Sequence, residues 1–184
     1  MVTAVVATAT VYACATPQAA SNGGFEATDD NSQHWTFDPN FGSTGVKSGI
    51  ATENEPTTDN HFAQLGDENA DGAVGDATTY SVSQDFTQLC PHSGYRLSFH
   101  HRFVGSGNQL ACAVDMTLGS ASLFHYDFPI SQVSGDDFMF YNASELVMPT
   151  EQIETFEIAV SCMRNATGEA TFYIDVDDIS FIVE

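Results

Sequence analysis

Arg96, His100 and Arg102 stand at even spacing within Tyr95-Arg96-Leu97-Ser98-Phe99-His100-His101-Arg102-Phe103, in a chain with only four Lys and Arg. Apolar and polar residues alternate there, which predicts a half-buried strand with Tyr95, Leu97, Phe99 and Phe103 inward and Arg96, Ser98, His100 and Arg102 outward. A row of guanidinium and imidazole groups could recognise hydroxyls or carboxylates; the competing use is charge balance against nearby acids. His100 and His101, being adjacent, point to opposite faces and make a poor metal chelate, so His101 reads as a buried or edge residue. Trp35, the only Trp, and Tyr126 are candidate flat platforms for a ligand, although a Trp in this setting also suits the core. Tyr141 offers a further aromatic rim, while Phe124, Phe128 and Phe140 read as core.

The acids suggest a second chemistry. In the final segment, Phe172-Tyr-Ile-Asp-Val-Asp-Asp-Ile-Ser-Phe-Ile-Val, residues 172, 174 and 176 share one parity while Ile179, Phe181 and Val183 share the other. A bulge at Asp177 and Asp178 would produce that slip. Two adjacent carboxylates repel unless a cation lies between them, and hard oxygen donors suit Ca²⁺; the alternative is two solvated acids beside a turn. For catalysis, no G-x-S-x-G, H-E-x-x-H or nucleotide-binding loop occurs. Glycoside hydrolysis needs two carboxylates across a cleft, and the 25 acids single out no such pair. The expectation is a protein without catalytic activity.

The elements that must carry these residues are strands. Helical periodicity is nearly absent, and alternation recurs in Thr79–Phe86, Tyr95–Phe103, Leu110–Leu118 and Phe156–Met163, with fainter strands at His34–Phe37, His61–Leu65 and Ser122–Phe128. A Gly-rich turn of hairpin type, Val104–Asn108, separates the second and third. Eight or nine strands at this spacing predict an all-β, two-sheet antiparallel β-sandwich or jelly roll. Residues 27–33, 67–78 and 142–152 read as loops.

The four cysteines, Cys14, Cys90, Cys112 and Cys162, include no CxxC pair, which favours disulfides over zinc. Parity places Cys112 and Cys162 inward on strands, and Cys14 and Cys90 outside them. Pairing within each set is the expectation, with two other connectivities open. Sequons at Asn142 and Asn165 are candidate glycosylation sites and fit the same oxidising, secreted route. The opening Met1–Ala15 ends in an A-x-A-like Ala13-Cys14-Ala15 but lacks a basic start and a Leu-rich centre. Cleavage there would remove Cys14 and leave an odd count. Residues 1–20 are therefore set apart as an N-terminal segment, with a remnant of a signal or linker as the expectation, before one domain over 21–184. A formal charge of −21 repels nucleic acid and anionic lipid. No apolar run approaches the roughly 20 residues of a membrane span.

The order Ser21-Asn-Gly-Gly-Phe-Glu26, then Trp35, then Gln84 or Gln88 leading into Leu89-Cys90-Pro91 and Tyr95, Leu97 and Phe99, then a Cys-bearing strand and Val176-Asp-Asp-Ile-Ser-Phe181 resembles fungal secreted carbohydrate-binding-module-like domains of the galactose-binding-like jelly-roll superfamily. The resemblance runs from about Ser21 to Val183. It departs from the family at His92-Ser93, where Pro-Gly is typical, and in an acidic insertion over 67–76. It implies a structural calcium joining the first and last strands, with Glu26 and Asp177 or Asp178 as ligands. It also implies carbohydrate as the partner, bound by stacking and hydrogen bonding, with Arg96, His100, Arg102, Trp35 and Tyr126 as candidate contacts. The alternative is a secreted structural or adhesive surface protein that binds a protein partner. The sugar and the oligomeric state are not encoded in any of these motifs.

Overall fold

The computed structural model describes residues 19–26, 34–38, 45–48, 61–67, 74–106, 110–129, 138–166 and 171–184. Its ten strands are β1 (Thr36–Asp38), β2 (Gly45–Ser48), β3 (His61–Asp67), β4 (Ala77–Phe86), β5 (Tyr95–Ser106), β6 (Leu110–Leu118), β7 (Ala121–Pro129), β8 (Met139–Asn142), β9 (Glu154–Arg164) and β10 (Thr171–Val183). They form two five-stranded antiparallel sheets, β1-β4-β9-β6-β7 and β2-β3-β10-β5-β8. This is the expected all-β sandwich of jelly-roll type, and no helix occurs among the described residues.

Alternation in the sequence becomes alternation in burial. Tyr80, Val82 and Phe86 of β4, Phe156, Ile158 and Val160 of β9, and Tyr95, Leu97 and Phe99 of β5 are all buried. Phe86 stacks on Phe156 at 5.1 Å within one sheet and meets Phe181 of the facing sheet at 5.4 Å, while Tyr95 stacks on Phe181 at 5.0 Å. Each such side chain contributes about 1.5–3 kcal/mol through burial.

Three expectations need correction. The Val104–Asn108 turn does not make a hairpin, because β5 and β6 lie in different sheets. A Gly-rich turn reverses the chain without specifying whether the next strand pairs alongside or crosses to the facing layer. The strands β2 and β8 were not expected; at four residues each, they are too short to display a period. The loop expected over 67–78 is shorter at both ends, since Asp67 closes β3 and Ala77-Thr78 open β4.

The register slip in the last strand is confirmed. Pairing of β10 with β5 shifts between Asp177 and Ser180. Asp178 adopts a left-handed φ of 50°, a conformation that Asp tolerates better than most residues. The Asp177 Oδ1 atom accepts the Asp178 N–H at 2.8 Å, which fixes the bulge.

Residues 19–26 join the two sheets. Ala19 N–H donates to Phe181 O at 2.9 Å, and Ile179 N–H donates to Gly23 O at 3.0 Å, so the segment runs along β10. From the other sheet, the buried Gln84 amide of β4 accepts from Ser21 N–H at 2.7 Å and donates to Ser21 O at 2.8 Å. Ala20 is part of the core, so the packed body already includes residues assigned to the N-terminal segment.

Cys112 and Cys162 face each other across β6 and β9 and form a disulfide, as parity predicted. Closing this loop, with a sequence separation of 50 residues, contributes roughly 4 kcal/mol on the chain-entropy model. Cys90 is disulfide-bonded outside any strand; Cys14 lies outside the described residues.

A Cβ at Gly23 would come within 2.0 Å of the Ile179 carbonyl oxygen, which is backbone and cannot move aside. Gly23→Ala is expected to cost about 2–4 kcal/mol in urea unfolding. Gly94→Ala, whose nearest obstacle is the movable Leu146 Cδ1 atom at 2.7 Å, should cost less. Equal losses in the two variants would show that the segment 19–26 is not tightly held on β10.

Candidate functional site

The basic row of β5 is committed to acids. Arg96 makes a two-pronged pair with Glu184, Nε to Oε1 at 2.5 Å and Nη2 to Oε2 at 2.6 Å, and donates through Nη1 to Ala143 O at 2.6 Å. His100 Nδ1 lies 3.2 Å from Asp178 Oδ2, an ion pair when the imidazole carries its proton. Arg102 donates through Nε and Nη2 to Asp175 Oδ2, both at 2.8 Å, and Asp175, which is 0% exposed, also accepts from Gln64 Nε2 at 2.9 Å. The Arg102 guanidinium lies over both the Phe62 and Phe138 rings, 5.3 and 4.6 Å from their centroids, a largely desolvated cation–π arrangement. The fold thus sets Arg96, His100 and Arg102 against acids, the charge-balance use that competes with ligand contact at these residues.

Trp35 lies in the core, the alternative that the sequence set beside a ligand platform. It is 6% exposed, packs on Phe25 at 5.3 Å and Phe156 at 6.2 Å, and donates its Nε1–H to Asn22 O at 2.9 Å. A Trp with its one donor satisfied inside the sandwich has no face to offer a ligand.

Glu26, Asp177 and Asp178 are not gathered into one ligand set. Glu26 Oε1 accepts the His61 backbone N–H at 2.6 Å, and its Oε2 pairs with His61 Nδ1 at 2.8 Å. Asp177 supports the bulge and Asp178 faces His100. Among the described residues, no three His, Cys, Asp or Glu side chains form a group that could hold a metal ion. The junction of the two ends described above is held by protein hydrogen bonds.

Tyr126 stands exposed at one edge of the sandwich. The strands β7 and β8 are the outermost strands of their sheets on one side of the sandwich, and rings gather there: within one sheet Phe99 of β5 packs on Tyr141 of β8 at 4.8 Å, and between the sheets Phe124 of β7 meets Tyr141 at 4.9 Å and Phe99 at 5.9 Å, while Tyr126 of β7 meets Phe103 of β5 at 5.8 Å. The short β8 faces a nine-residue β7, and Tyr126, on the inner parity of β7 opposite buried Val114, remains 46% exposed. Pairing of β6 with β7 slips where Met116 opposes Phe124 and Thr117 opposes Ser122, leaving Leu123 as an extra residue. This bulge lets Leu123 and Phe124, adjacent in sequence, both pack at the margin of the core.

Beside this edge is a pocket of about 170 Å³ whose walls include Tyr141, Ser122, Leu123, Ser144, Glu145 and Leu146. Phe140, expected in the core, is 61% exposed and lies over His100 at 5.0 Å on the outer face. Phe124 packs against the margin of the core, close to expectation, and the Phe128 side chain lies outside the described residues. Asn142 and Asn165 are both exposed.

His101 sits inside this edge, buried between Phe99 at 5.4 Å and Phe103 at 5.1 Å, with no hydrogen-bond partner for Nδ1. Burial pushes its pKa down to about 4, and neighbouring His100 adds to the push. His125, on the opposite side of β7, is held above its ordinary value by Asp115, 2.7 Å from Nδ1, and by Asp127.

Several solved structures share this architecture. TmCBM61, in complex with β-1,4-galactotriose, is 14% identical, with 92% of this chain and 100% of that chain covered and a TM-score of 0.55. A Stig cyclase, Fisc from Fischerella sp. TAU, in complex with (3Z)-3-(1-methyl-2-pyrrolidinylidene)-3H-indole, is 16% identical, with 89% and 94% covered and a TM-score of 0.54. An arabinose-bound α-L-arabinofuranosidase, MgGH51, is 12% identical, with 91% of this chain but 26% of that chain covered and a TM-score of 0.50. No family model matches the sequence, and no curated protein matches it. At these identities the likeness is one of fold: a jelly-roll sandwich that serves as a carbohydrate-binding module in one protein and occurs in enzymes in others.

Arg102→Ala would leave Asp175 charged and buried, so a loss of about 3–5 kcal/mol is expected in urea unfolding; a loss below about 1 kcal/mol would contradict the buried pair. In an NMR titration, His101 should have its midpoint near pH 4 and His125 above the ordinary 6.5. Because the folded pKa of His101 lies below the unfolded 6.5, its contribution to stability is intact above pH 6.5 and declines as pH falls towards 4. A His101 midpoint near 6.5 would show the ring to be hydrated.

Proposed function

We propose that this protein is a secreted carbohydrate-binding module that holds a polysaccharide or glycan along the open β7–β8 edge and carries out no reaction of its own. The observation that carries this reading is the ring system at that edge, in which exposed Tyr126 is backed by Phe103 and Phe124 and continues into Tyr141. Flat rings held rigidly at a half-open edge suit the C–H faces of sugars, and their low side-chain freedom limits the entropic cost of binding. The shared fold with a module that holds β-1,4-galactotriose supports the same reading. Secretion is supported by the Cys112–Cys162 disulfide and by the exposed sequons at Asn142 and Asn165.

The second reading, a surface that binds a protein partner, draws on the exposed apolar residues Met139, Phe140, Leu146 and Met148. Glycan arrays and polysaccharide pull-down separate the two. The parent protein should retain at least one neutral polysaccharide, and Tyr126→Ala should weaken that retention about tenfold or more, the scale of losing a contact worth about 1.4 kcal/mol. His125→Ala, on the other side of β7, should leave retention unchanged. Retention of no glycan would favour the protein-partner reading, and steady release of reducing sugar would make the protein an enzyme.

A further inference from the structure

We infer that the pocket beside Tyr141 is a single-ring subsite for the end of a glycan chain, accepting neutral or amine-bearing pyranoses and rejecting uronates; this rests on the carbohydrate reading above. The size sets the first limit. A volume of about 170 Å³ falls below the roughly 300–1,000 Å³ of sites for drug-sized ligands, so the pocket takes one small ring rather than a length of chain.

The pocket is built by two local devices. The extra residue of β7 turns Leu123 towards the core margin on one side. On the other, residues 143–147 are fastened at both ends: Ala143 N–H donates to Leu97 O at 2.9 Å, and Val147 exchanges backbone bonds with Tyr95 at 2.8 and 2.9 Å. Arg96 adds its bond to Ala143 O, so this basic residue positions the pocket wall. Ser144, Glu145 and Leu146 are thereby held over the open edge between fixed points.

Its chemistry sets the second limit. Ser122, Ser144 and Glu145 make no side-chain hydrogen bond or ion pair with another described residue, so their polar groups are available to a guest. A carboxylate accepts from two neighbouring hydroxyls at once, and the serine hydroxyls both donate and accept. The Tyr141 ring supplies the flat face. Among the described residues no Lys or Arg lines the pocket, and the chain carries −21 overall. A uronate carboxylate would thus meet Glu145 without a compensating cation, whereas an amine would be welcomed. Beyond the pocket, Tyr141 leads through Phe124 to Tyr126, four residues from Ser122 along β7, or about 13 Å at about 3.3 Å per residue. The sugar units behind the terminal ring have that track to lie on.

The test is calorimetric titration of the full chain at pH 7 with neutral trisaccharides (β-1,4-galactotriose, cellotriose and mannotriose), the trimer of glucosamine, and trigalacturonate. At least one neutral or amine-bearing trisaccharide should bind, trigalacturonate should not, and Glu145→Ala should weaken the bound one tenfold or more with an unchanged melting temperature. Trigalacturonate binding as tightly as the neutral sugars would overturn the subsite. So would parent-like binding by Glu145→Ala when Tyr126→Ala has lost it, an outcome that leaves the carbohydrate reading intact. If neither these sugars nor any arrayed glycan binds the parent, the carbohydrate reading itself falls, and the subsite with it.

Discussion

The structure depends on the way residues 19–26 are held between the two sheets. Their backbone pairs with β10 in one sheet, while the Gln84 amide reaches from β4 in the other and bonds both the N–H and the carbonyl of Ser21. A buried amide with both ends satisfied avoids the penalty of an unpaired polar group and fixes the segment in one register. Gly23 permits the close approach to Ile179, and Phe25 packs on Trp35, which in turn packs on Phe156 in the core. The bulge at Asp177 and Asp178 belongs to this junction, since it brings Ile179 and Phe181 back to the inner face after the slip.

Charge limits what the surface can do. With four Lys and Arg against 25 acids, each cation on β5 is drawn to a carboxylate nearby, and Arg102 goes furthest because Asp175 has no access to solvent. Recognition of a ligand consequently falls to neutral hydroxyls, carboxylates and rings. These are the groups found at the β7–β8 edge, where no basic side chain among the described residues lines the pocket.

That edge arises from unequal strand lengths. A short β8 opposite a longer β7 leaves inner-face rings with neighbours on one side and water on the other. Phe99, Phe103 and Phe124 anchor the array in the core, so Tyr126 and Tyr141 are presented by rigid elements. The same crowding of rings buries His101 and keeps it neutral until strongly acid pH.

Much of this was legible along the chain. Period-two alternation determined which residues of β4, β5, β6, β9 and β10 face the core, because strand geometry enforces that parity locally. The same local rule gave the Cys112–Cys162 pairing and located the bulge from a change of parity. Partners in space carry no such local signature. Arg96 and Arg102 could be placed outward from the sequence, but only the fold brought Glu184 and Asp175, 88 and 73 residues away, against them. Trp35 suited the core better than a platform by its type and place, but only Asn22 and Phe156 closing around it decided the matter. The open edge and its pocket depend on which strands end a sheet and how far they overlap. Long-range pairing decides that, so tertiary structure alone could set Ser122, Tyr141 and Glu145 around one pocket, with Tyr126 further along the same edge.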